Sequence, residues 1–391
     1  MAIDLEKAVI PVNSVPLRIA IDAHAVGTKL GGNESYASNL IESLAQIDSF
    51  NQYTIYVTTN EARERFHGRW PNFKVRATLP HTPVIRIPLT LSAELRKYPV
   101  DVLHVQFTAP PFCPCPTVVS IHDLSFEHLP ETFKRRSRMQ LRLTVRNSAR
   151  RASRILSLSE YSRRDIMDTY GISPERITAI PLAAASHFAP VTDSRELQRV
   201  RHIYGIDSDY ILSVGSIQPR KNLARLVKAY ASLRGEYSAD KLPKLVLAGK
   251  CAWLYDETLH ALEETGLRDA VVLTGYVPEA DLAALYSGAL CFVYPSYFEG
   301  FGLPPLEAMK CGVPVVVGNR TSLPEVVGDA ALIVDPFDVG AIAAAIKRLM
   351  NDSQLRQELR SKGQQRASMF DWRETARQTL QVYKEVAQIR S

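Results

Sequence analysis

Two carboxylates, those of Glu299 and Glu307, flank a turn rich in glycine and proline in the segment YFEGFGLPPLEAMKCGVPVV, residues 297–316. A helix is predicted to begin at about Leu303, because proline is tolerated in the first helical turn. Backbone N–H groups at a helix start converge on one point, which suits an anion or a hydroxyl group. A carboxylate accepts hydrogen bonds from sugar hydroxyls but does not bind phosphate, and Glu307 could also simply cap or solvate the helix. The amides that would converge belong to Gly300, Phe301, Gly302 and Leu303.

A pair of adjacent cations, Arg220 and Lys221, lies in the segment SVGSIQPRKNLARLVKAY, residues 213–230. A strand-like run and a glycine precede the pair, and apolar residues at helical spacing follow it. Acidic residues are normally preferred at a helix start because the helix dipole is positive there. Two basic residues at this position therefore favour the binding of an external anion such as a phosphate or a diphosphate.

Two further candidates follow predicted strands in the first half of the chain. Gly31 and Gly32 directly precede a predicted helix, so their backbone could approach an anion closely, although a flexible loop would also explain them. Their spacing is not the G-x-G-x-x-G fingerprint of dinucleotide binding. His122 ends a strand beside Asp123, which favours a place in a cleft over the structural or surface role of most histidines.

Strand-like runs alternate with helical patterns along the whole chain. Most of these runs are almost continuously apolar, which is typical of parallel strands buried on both faces. The alternation occurs twice, so we predict an α/β protein with two doubly wound, Rossmann-like domains facing each other across a cleft. The predicted strands cover residues 16–23, 53–59, 101–106, 117–123, 154–159, 176–181, 210–216, 244–249, 270–275, 290–295, 313–318 and 331–335.

The length of 391 residues exceeds the size at which a single core keeps growing, which also favours two domains. Apolar periodicity stops at SHFAPVTDS, residues 186–194, so the predicted domains are residues 1–190 and 191–370. A helical pattern covers the rest of the chain, residues 371–391.

Composition favours a soluble, cytoplasmic protein. Hydrophobic residues make up 46% and charged residues 23% of the chain, and no apolar run approaches the ~18 residues that span a bilayer. The first ten residues, MAIDLEKAVI, contain acids where a signal peptide needs a basic region. The five cysteines lie mostly in apolar contexts, which favours reduced thiols. The two in CPC lack a second pair at metal-ligand spacing, so no metal site is predicted there.

A basic segment, KRRSRMQLRLTVRNSARRASR, covers residues 134–154 and would form one broad positive face if it were helical. This face could be solvated, or it could attach the protein to anionic lipid headgroups; the family resemblance described below would place such an attachment at the inner membrane. Nucleic acid is the weakest alternative, because no aromatic interleaving or recognition module accompanies the arginines. The residues that recur at every fourth position are Arg138, Arg142, Arg146, Arg150 and Arg154.

Taken together, the motifs resemble those of the retaining glycosyltransferases of family 4, which have the GT-B fold. The resemblance covers nearly the whole chain in the family's order, and the segment with the two carboxylates is its most specific part. It implies a nucleotide-diphosphate sugar as donor, a glycan or lipid-linked acceptor, and no cofactor or metal. It also implies that the C-terminal helix packs back on the first domain. The motifs are Gly-Gly before the first helix, HDL, SxxSRRD from Ser159 to Asp165, VGSxxPRKN and EGFGLPPLEAMKCGVPVV.

The resemblance assigns the donor contacts. Arg220 and Lys221 would hold the diphosphate and stabilise the charge on the leaving nucleotide. Glu307 would bind the ribose hydroxyls, and Glu299 would contact the transferred sugar. The amides of residues 300–303 would contact the sugar hydroxyls or the phosphate.

The resemblance also places residues around the other parts of the donor. Gly32 would approach the diphosphate from the first domain, and Val277 would border the nucleotide base. His122 would lie beside the sugar where the acceptor enters. Gly215 and Ser216 would also contact the donor. Many family members have an arginine soon after this glycine and a separate lysine several residues later, whereas here Ser216 and Ile217 follow Gly215 and the two cations are adjacent. That variant resembles bacterial polysaccharide mannosyltransferases, so GDP-mannose is the expected donor.

Two other kinds of protein would share parts of this pattern. A sugar-nucleotide epimerase of the same architecture would use the donor site without an acceptor. A non-catalytic protein that binds sugar nucleotides or anionic polymers would use the basic face, but it would leave the two carboxylates unexplained. An NAD-linked oxidoreductase would share the parallel sheets but lacks the fingerprint.

Overall fold

The structure, a computed structural model, describes residues 15–28, 31–238, 241–252 and 254–388. Within these residues lie a seven-stranded and a six-stranded sheet, in which all the registered strand pairs are parallel. The predicted GT-B-like fold is therefore confirmed. The first ten residues, which are predicted not to be a signal peptide, lie outside the described residues.

The strands are, in chain order, β1 (Arg18–Asp22), β2 (Gln52–Val57), β3 (Phe73–Ala77), β4 (Val102–Gln106), β5 (Thr117–Ser120), β6 (Arg154–Ser157), β7 (Ile177–Ala179), β8 (Tyr210–Val214), β9 (Lys244–Ala248), β10 (Val271–Gly275), β11 (Cys291–Tyr294), β12 (Val315–Gly318) and β13 (Leu332–Val334). The α-helices are α1 (Gly32–Ile47), α2 (Asn60–Phe66), α3 (Pro83–Ile85), α4 (Ser92–Lys97), α5 (Ser125–His128), α6 (Arg135–Arg151), α7 (Glu160–Tyr170), α8 (Ser194–Ile203), α9 (Leu223–Arg234), α10 (Asp256–Glu264), α11 (Glu279–Ser287), α12 (Leu303–Lys310), α13 (Leu323–Val327), α14 (Val339–Asn351), α15 (Ser353–Ser368) and α16 (Trp372–Gln388).

The strand orders are those of doubly wound sheets. The first sheet runs β3-β2-β1-β4-β5-β6-β7 and the second runs β10-β9-β8-β11-β12-β13. Helices cover both faces of each sheet, so the strands are buried on both sides, and this is why their sequences are apolar runs rather than alternating patterns. The carboxyl ends of the parallel strands share one edge of each sheet, where ligands of such folds bind.

One strand, β3, was not predicted. Its sequence, FKVRA, carries Lys74 and Arg76, and only its first residue is fully buried. Edge strands of this kind tolerate charges, because one side of the strand has no neighbour in the sheet. The position at the edge, which the local sequence does not reveal, accounts for the missed element.

The C-terminal helix α16 lies against the first domain. It packs on α1, and the hydroxyl of Tyr383 lies 2.5 Å from Nδ1 of His104 in β4. Glu385 pairs with Arg154 at 3.1 Å. A single apolar core contains residues from both sheets and from α16, so the two domains are packed together in this structure.

The predicted positive face of five arginines is wrong at one position. Helix α6 ends at Arg151, and Arg154 is the first residue of β6, where it is registered with Val118 of β5. The chain leaves the helix there because the apolar residues that follow, Ile155 and Leu156, are buried in the sheet. The remaining four arginines, Arg138, Arg142, Arg146 and Arg150, lie on α6.

Among the described residues, no helix combines the length and the apolar character needed to cross a bilayer.

Candidate active site

A pocket lies between the two domains at the carboxyl edges of their sheets. The first domain contributes Gly31 and the first turns of α1 to its wall. The second domain contributes the loop after β8, the loops after β9 and β10, and the start of α12. Five of the residues predicted to bind a donor line this pocket. They are Gly215, Ser216, Val277, Leu303 and, one turn into α12, Glu307.

The two predicted cations occupy a 3-10 turn, Pro219–Lys221, between β8 and α9. The turn presents both side chains to the loop that follows β11. Arg220 Nη1 donates to Glu299 Oε2 at 2.8 Å and to the carbonyl of Phe298 at 2.8 Å. Lys221 Nζ donates to Glu299 Oε1 at 2.6 Å and also to the hydroxyl of Tyr294. The two cations and Glu299 therefore form one cluster, in which Lys221 and Glu299 are buried and Arg220 is half-buried.

Glu299 is held on both carboxylate oxygens. Besides Lys221, its Oε1 accepts hydrogen bonds from Tyr294 at 3.0 Å and from Ser296 at 2.6 Å. Its backbone N–H donates to Thr321 at 2.9 Å. The sequence suggested separate tasks for this acid and for the cations, which stand 79 and 78 positions away, whereas the fold brings the three side chains into direct contact.

The charges in this cluster stabilise each other. Burial alone would raise the pKa of Glu299, but the positive charges of Arg220 and Lys221 outweigh it and hold the pKa at about 2. Burial and the neighbouring Arg220 lower the pKa of Lys221 to about 8, although Glu299 acts in the opposite direction. Burial also acts against the charge of Arg220, but Glu299 raises its pKa above the ordinary value. The cluster carries a net positive charge at neutral pH.

Lys221 also connects this cluster to the pocket. Its Cε lies 3.7 Å from the position that a Cβ would occupy on Gly215, which lines the pocket. The backbone of Gly215 has φ +148°, a conformation that side chains rarely adopt. A glycine here therefore leaves the lysine stem beside the pocket wall.

Glu307 lies in α12, which begins at Leu303 as predicted. Its side chain is partly exposed to the pocket, and its Oε2 accepts a hydrogen bond from the hydroxyl of Tyr286 at 2.9 Å. Burial raises the pKa of Glu307 to about 7, although the bond from Tyr286 acts against this rise. Its protonation therefore changes near neutral pH.

His122 is buried at the contact between the domains. Its Nδ1 lies 3.0 Å from Oδ1 of Asn33 at the start of α1, and no partner for Nε2 lies among the described residues. Burial lowers the pKa of His122 to about 4, so the ring is neutral at pH 7. A neutral ring that donates from Nδ1 leaves Nε2 as a hydrogen-bond acceptor.

Residues 300–302, just before α12, are closely packed against their surroundings. Gly300 packs against the carbonyl of His122, whose oxygen lies 1.9 Å from the position that a Cβ would occupy. The ring of Phe301 is buried against Phe370 at 5.8 Å, and Gly302, with φ +119°, precedes the helix. The predicted convergence of the amides of residues 300–303 on a ligand stays a prediction.

Some pocket residues were not predicted. Lys250 follows β9, lies 4.8 Å from the ring of Tyr276, and lines the pocket together with that ring. Glu34 also lines it and accepts a hydrogen bond from the N–H of Gly27 at 2.8 Å. Lys250 and Tyr276 follow strands and Glu34 lies in the first turn of α1, and these positions could have identified them as pocket residues from the sequence. Gly32 is the first residue of α1, and it is the neighbouring Gly31 that lines the pocket.

No group of three His, Cys, Asp or Glu side chains able to hold a metal ion occurs within the described part of the chain.

Two family models together match most of the chain. Residues 195–366 match the family described as glycosyl transferases group 1, and residues 30–184 match the family described as glycosyltransferase family 4. The boundary between the matches coincides with the segment between the two sheets.

Relatives with assigned activities include two proteins of Escherichia coli. The O-antigen chain mannosyltransferase B is 39% identical over 268 residues, which cover 68% of this chain and 70% of that protein. The serotype-specific mannosyltransferase WbdA is 34% identical over 241 residues, which cover 61% of this chain but only 29% of that longer protein.

Among solved structures, sucrose-phosphate synthase from Thermosynechococcus elongatus superimposes with a TM-score of 0.76. The superposition covers 95% of this chain and 99% of that one, at 21% identity. At this level of identity the likeness establishes the fold.

Proposed function

This chain belongs to glycosyltransferase family 4, and from that premise we propose that it transfers a mannosyl group from GDP-mannose to a glycan or lipid-linked acceptor of a bacterial polysaccharide. The observation that carries the proposal is the cluster of Arg220, Lys221 and Glu299 beside a pocket lined by both domains. Two relatives named as mannosyltransferases support the choice of sugar.

The order of the strands suggests how a donor would lie along the edge of the second sheet. Val277 and Tyr276 follow β10, the two cations follow β8, and Glu299 follows β11. In the sheet these strands stand in the order β10-β9-β8-β11. A base near Val277, a diphosphate at the cations and a sugar beside Glu299 would thus lie in the order in which these groups are bonded in a nucleotide sugar. Glu307, on the wall shared with Val277, would accept hydrogen bonds from the ribose hydroxyls.

In the proposed reaction, the bond between the anomeric carbon and the diphosphate oxygen breaks, and the acceptor oxygen bonds to the same carbon from the same face. The configuration is thereby retained. The proton of the acceptor hydroxyl moves to the released diphosphate oxygen, so no side chain needs to take it up. Negative charge grows on the diphosphate, and the prearranged charges of Arg220 and Lys221 stabilise it. The same cations would do this without a metal ion.

A direct test is a screen of purified protein against GDP-, UDP-, dTDP- and ADP-sugars, by thermal shift and by release of the nucleoside diphosphate in the presence of EDTA. We expect GDP-mannose to give the largest shift and to be turned over when a mannose-containing glycan is added. Turnover of another sugar nucleotide alone would disprove the choice of donor. Interconversion of the sugar nucleotide without an acceptor would instead indicate an epimerase.

Donor use should depend on the charge of Glu307. A carboxylate accepts hydrogen bonds from two ribose hydroxyls, whereas a protonated carboxyl accepts them less well. Because the pKa of Glu307 is about 7, kcat/KM for the donor should fall as the pH is lowered through 7. The variant Glu307→Gln should lose this acid limb and show a kcat/KM at pH 8 reduced roughly tenfold, about the effect of one charged hydrogen bond.

A matched control is Glu279→Gln, which alters another carboxylate on the pocket wall. The charge of Glu279 raises the pKa of Glu307, so this variant should keep the acid limb but shift it slightly to lower pH. An unchanged acid limb in Glu307→Gln would refute the assignment to the ribose.

We further propose that α6 attaches the protein to an anionic membrane surface. Met139 and Leu143 point into solvent, with 60% and 68% of their surface exposed, and arginines flank them on the same helix. Such a face combines apolar insertion with attraction to anionic headgroups. Two of the arginines also have partners within the protein, since Arg142 pairs with Glu127 at 2.6 Å and Arg138 donates to the carbonyl of Phe126 at 3.0 Å.

The double variant Arg146→Glu with Arg150→Glu should reduce co-sedimentation with phosphatidylglycerol vesicles at low salt by at least tenfold, because each basic residue near the surface contributes about 1 kcal/mol. Arg268→Glu, which changes an exposed arginine of the second domain, should sediment like the original protein. Absence of vesicle binding by the original protein would rule out the attachment.

A further inference from the structure

The motif SxxSRRD, from Ser159 to Asp165, has no role in the proposed donor site, yet it lies against the loop that carries Glu299. Ser159 caps the N-terminus of α7, where its hydroxyl accepts the N–H of Ser162 at 3.1 Å. The same hydroxyl donates to the carbonyl of Gly300 at 2.8 Å. Ser159 thus uses both its acceptor and its donor capacity, one within its own domain and one across the cleft.

Ser162 links the two sides of the cleft at a single atom. Its Oγ lies 3.1 Å from the carbonyl oxygen of Gly300 and 3.2 Å from that of His122. Both neighbours are acceptors and a hydroxyl has one proton, so Ser162 shares its proton between them. Ser162 therefore holds the backbone carbonyl of His122, in the first domain, close to the backbone carbonyl of Gly300, which follows Glu299 in the second domain.

The last residue of the motif, Asp165, contacts the same loop through a neighbouring side chain. Asp165 Oδ1 lies 2.6 Å from Nε2 of His128, whose ring stacks on Phe298 at 5.7 Å between centroids. Ser159, at the N-cap of α7, Ser162 and Asp165 stand three positions apart and so lie on one face of the helix. Ser159 and Ser162 contact the segment Phe298–Gly300 directly, and Asp165 contacts it through His128.

The second domain also contributes a charged residue, Glu325, to this contact. The carboxylate of Glu325 accepts the N–H of Glu160 at 2.8 Å and that of Tyr161 at 3.0 Å. An acid is favourable at this point because the N-terminus of α7 has free N–H groups and the positive end of the helix dipole. We call these contacts of Ser159, Ser162 and the first turn of α7 with Gly300 and Glu325 the α7 contact.

Gly300 fits the α7 contact because it has no side chain. A Cβ there would lie 1.9 Å from the carbonyl oxygen of His122 and 2.7 Å from its carbon, both atoms of the backbone. Neither can give way locally, so any larger residue would push the two domains apart. On its own domain, the loop is fixed by Ser322, whose hydroxyl contacts the carbonyls of Glu299 at 2.8 Å and Phe301 at 2.7 Å.

We propose that Ser159 and Ser162 are positioning residues for glycosyl transfer: by holding the carbonyl of Gly300 they fix the distance between the donor loop, with Glu299, and the acceptor side at His122. The inference rests on the proposed function for its chemistry, but the α7 contact itself is independent of which sugar is transferred. Because these serines contact neither the pocket nor the cations, their loss should impair the transfer step and spare nucleotide binding.

The test compares Ser162→Ala and Ser159→Asp with the original protein. Aspartate retains the acceptor that caps α7 but has no proton to donate to Gly300, and Ser159→Thr, which keeps both, is the matched control. We expect kcat for transfer to fall about tenfold in each variant, near the effect of one lost hydrogen bond, and more than 50-fold in the double variant. The Kd for the nucleoside diphosphate should stay close to the original, and so should the melting temperature of Ser162→Ala. Ser159→Asp should melt at a lower temperature, because it buries a carboxylate where Ser159 is 1% exposed. Ser159→Thr should keep both the melting temperature and most of the activity.

Transfer at the original rate in the double variant would overturn the proposal, and so would a loss of nucleotide affinity equal to the loss of kcat. A readout without chemistry separates this proposal from the proposed function. Gly300→Ala should increase the radius of gyration in small-angle X-ray scattering, whichever donor the enzyme uses. An unchanged radius would show that the α7 contact does not set the domain spacing, while failure of every sugar nucleotide would count against the proposed function alone.

Discussion

Replacing Lys221 or Arg220 with alanine is expected to reduce kcat for glycosyl transfer by roughly 10²–10³-fold, which corresponds to about 3–4 kcal/mol of transition-state stabilisation, the usual loss for one prearranged donor. Glu299 fixes both side chains, that of Lys221 at 2.6 Å and that of Arg220 at 2.8 Å. Because they need no reorganisation when the diphosphate becomes more negative, their effect should appear mainly in kcat. Steady-state kinetics with the sugar nucleotide selected by the donor screen measures it.

The control for this prediction is Arg225→Ala. Arg225 stands on the next helix, near the ring of Phe337 and bonded to Asn222 at 2.9 Å, so it tests the loss of a nearby positive charge outside the cluster. We expect at most a threefold change in kcat for this variant. Turnover at the original rate in either Lys221→Ala or Arg220→Ala would refute the assignment of the diphosphate to these cations.

The second large effect is expected for Glu299→Gln, with a loss of kcat comparable to that of the cation variants. Glu299 raises the pKa of Lys221, which burial and Arg220 lower to about 8. Without the negative charge, the pKa of Lys221 falls further, and the lysine loses its proton at lower pH. The alkaline limb of the kcat/KM profile, expected near pH 8 in the original protein, should therefore move to lower pH.

Measuring the full pH profile distinguishes this effect from a loss of sugar contacts alone. If Glu299 acted only on the sugar, Glu299→Gln would lower kcat/KM equally at every pH and leave the alkaline limb in place. Glu264→Gln, which removes an exposed carboxylate paired with Lys228 on the outer helices, should leave both limbs and the rate unchanged. A stationary alkaline limb in Glu299→Gln would argue against electrostatic support of Lys221 by this acid.

The fold was predictable from the sequence because burial of a parallel sheet on both faces leaves a local trace. Nearly continuous apolar runs such as YILSV, in β8, alternate with amphipathic helices, and this pattern occurs in both halves of the chain. The start of α12 at Leu303 was equally local, since glycine and proline mark it directly. The edge strand β3 has no continuous apolar run, and it was therefore not predicted as a strand.

By itself, the sequence determined that the chain forms two such domains, that it belongs among the family 4 glycosyltransferases, and which polar residues end the strands. Only the tertiary structure decided which of these residues meet. The partnership of Glu299 with two cations, the shared proton of Ser162 between Gly300 and His122, and the exclusion of Arg154 from the basic helix all depend on contacts between distant segments. Such contacts follow from how strands are ordered in a sheet and how two domains pack, and no local pattern of side chains specifies that order.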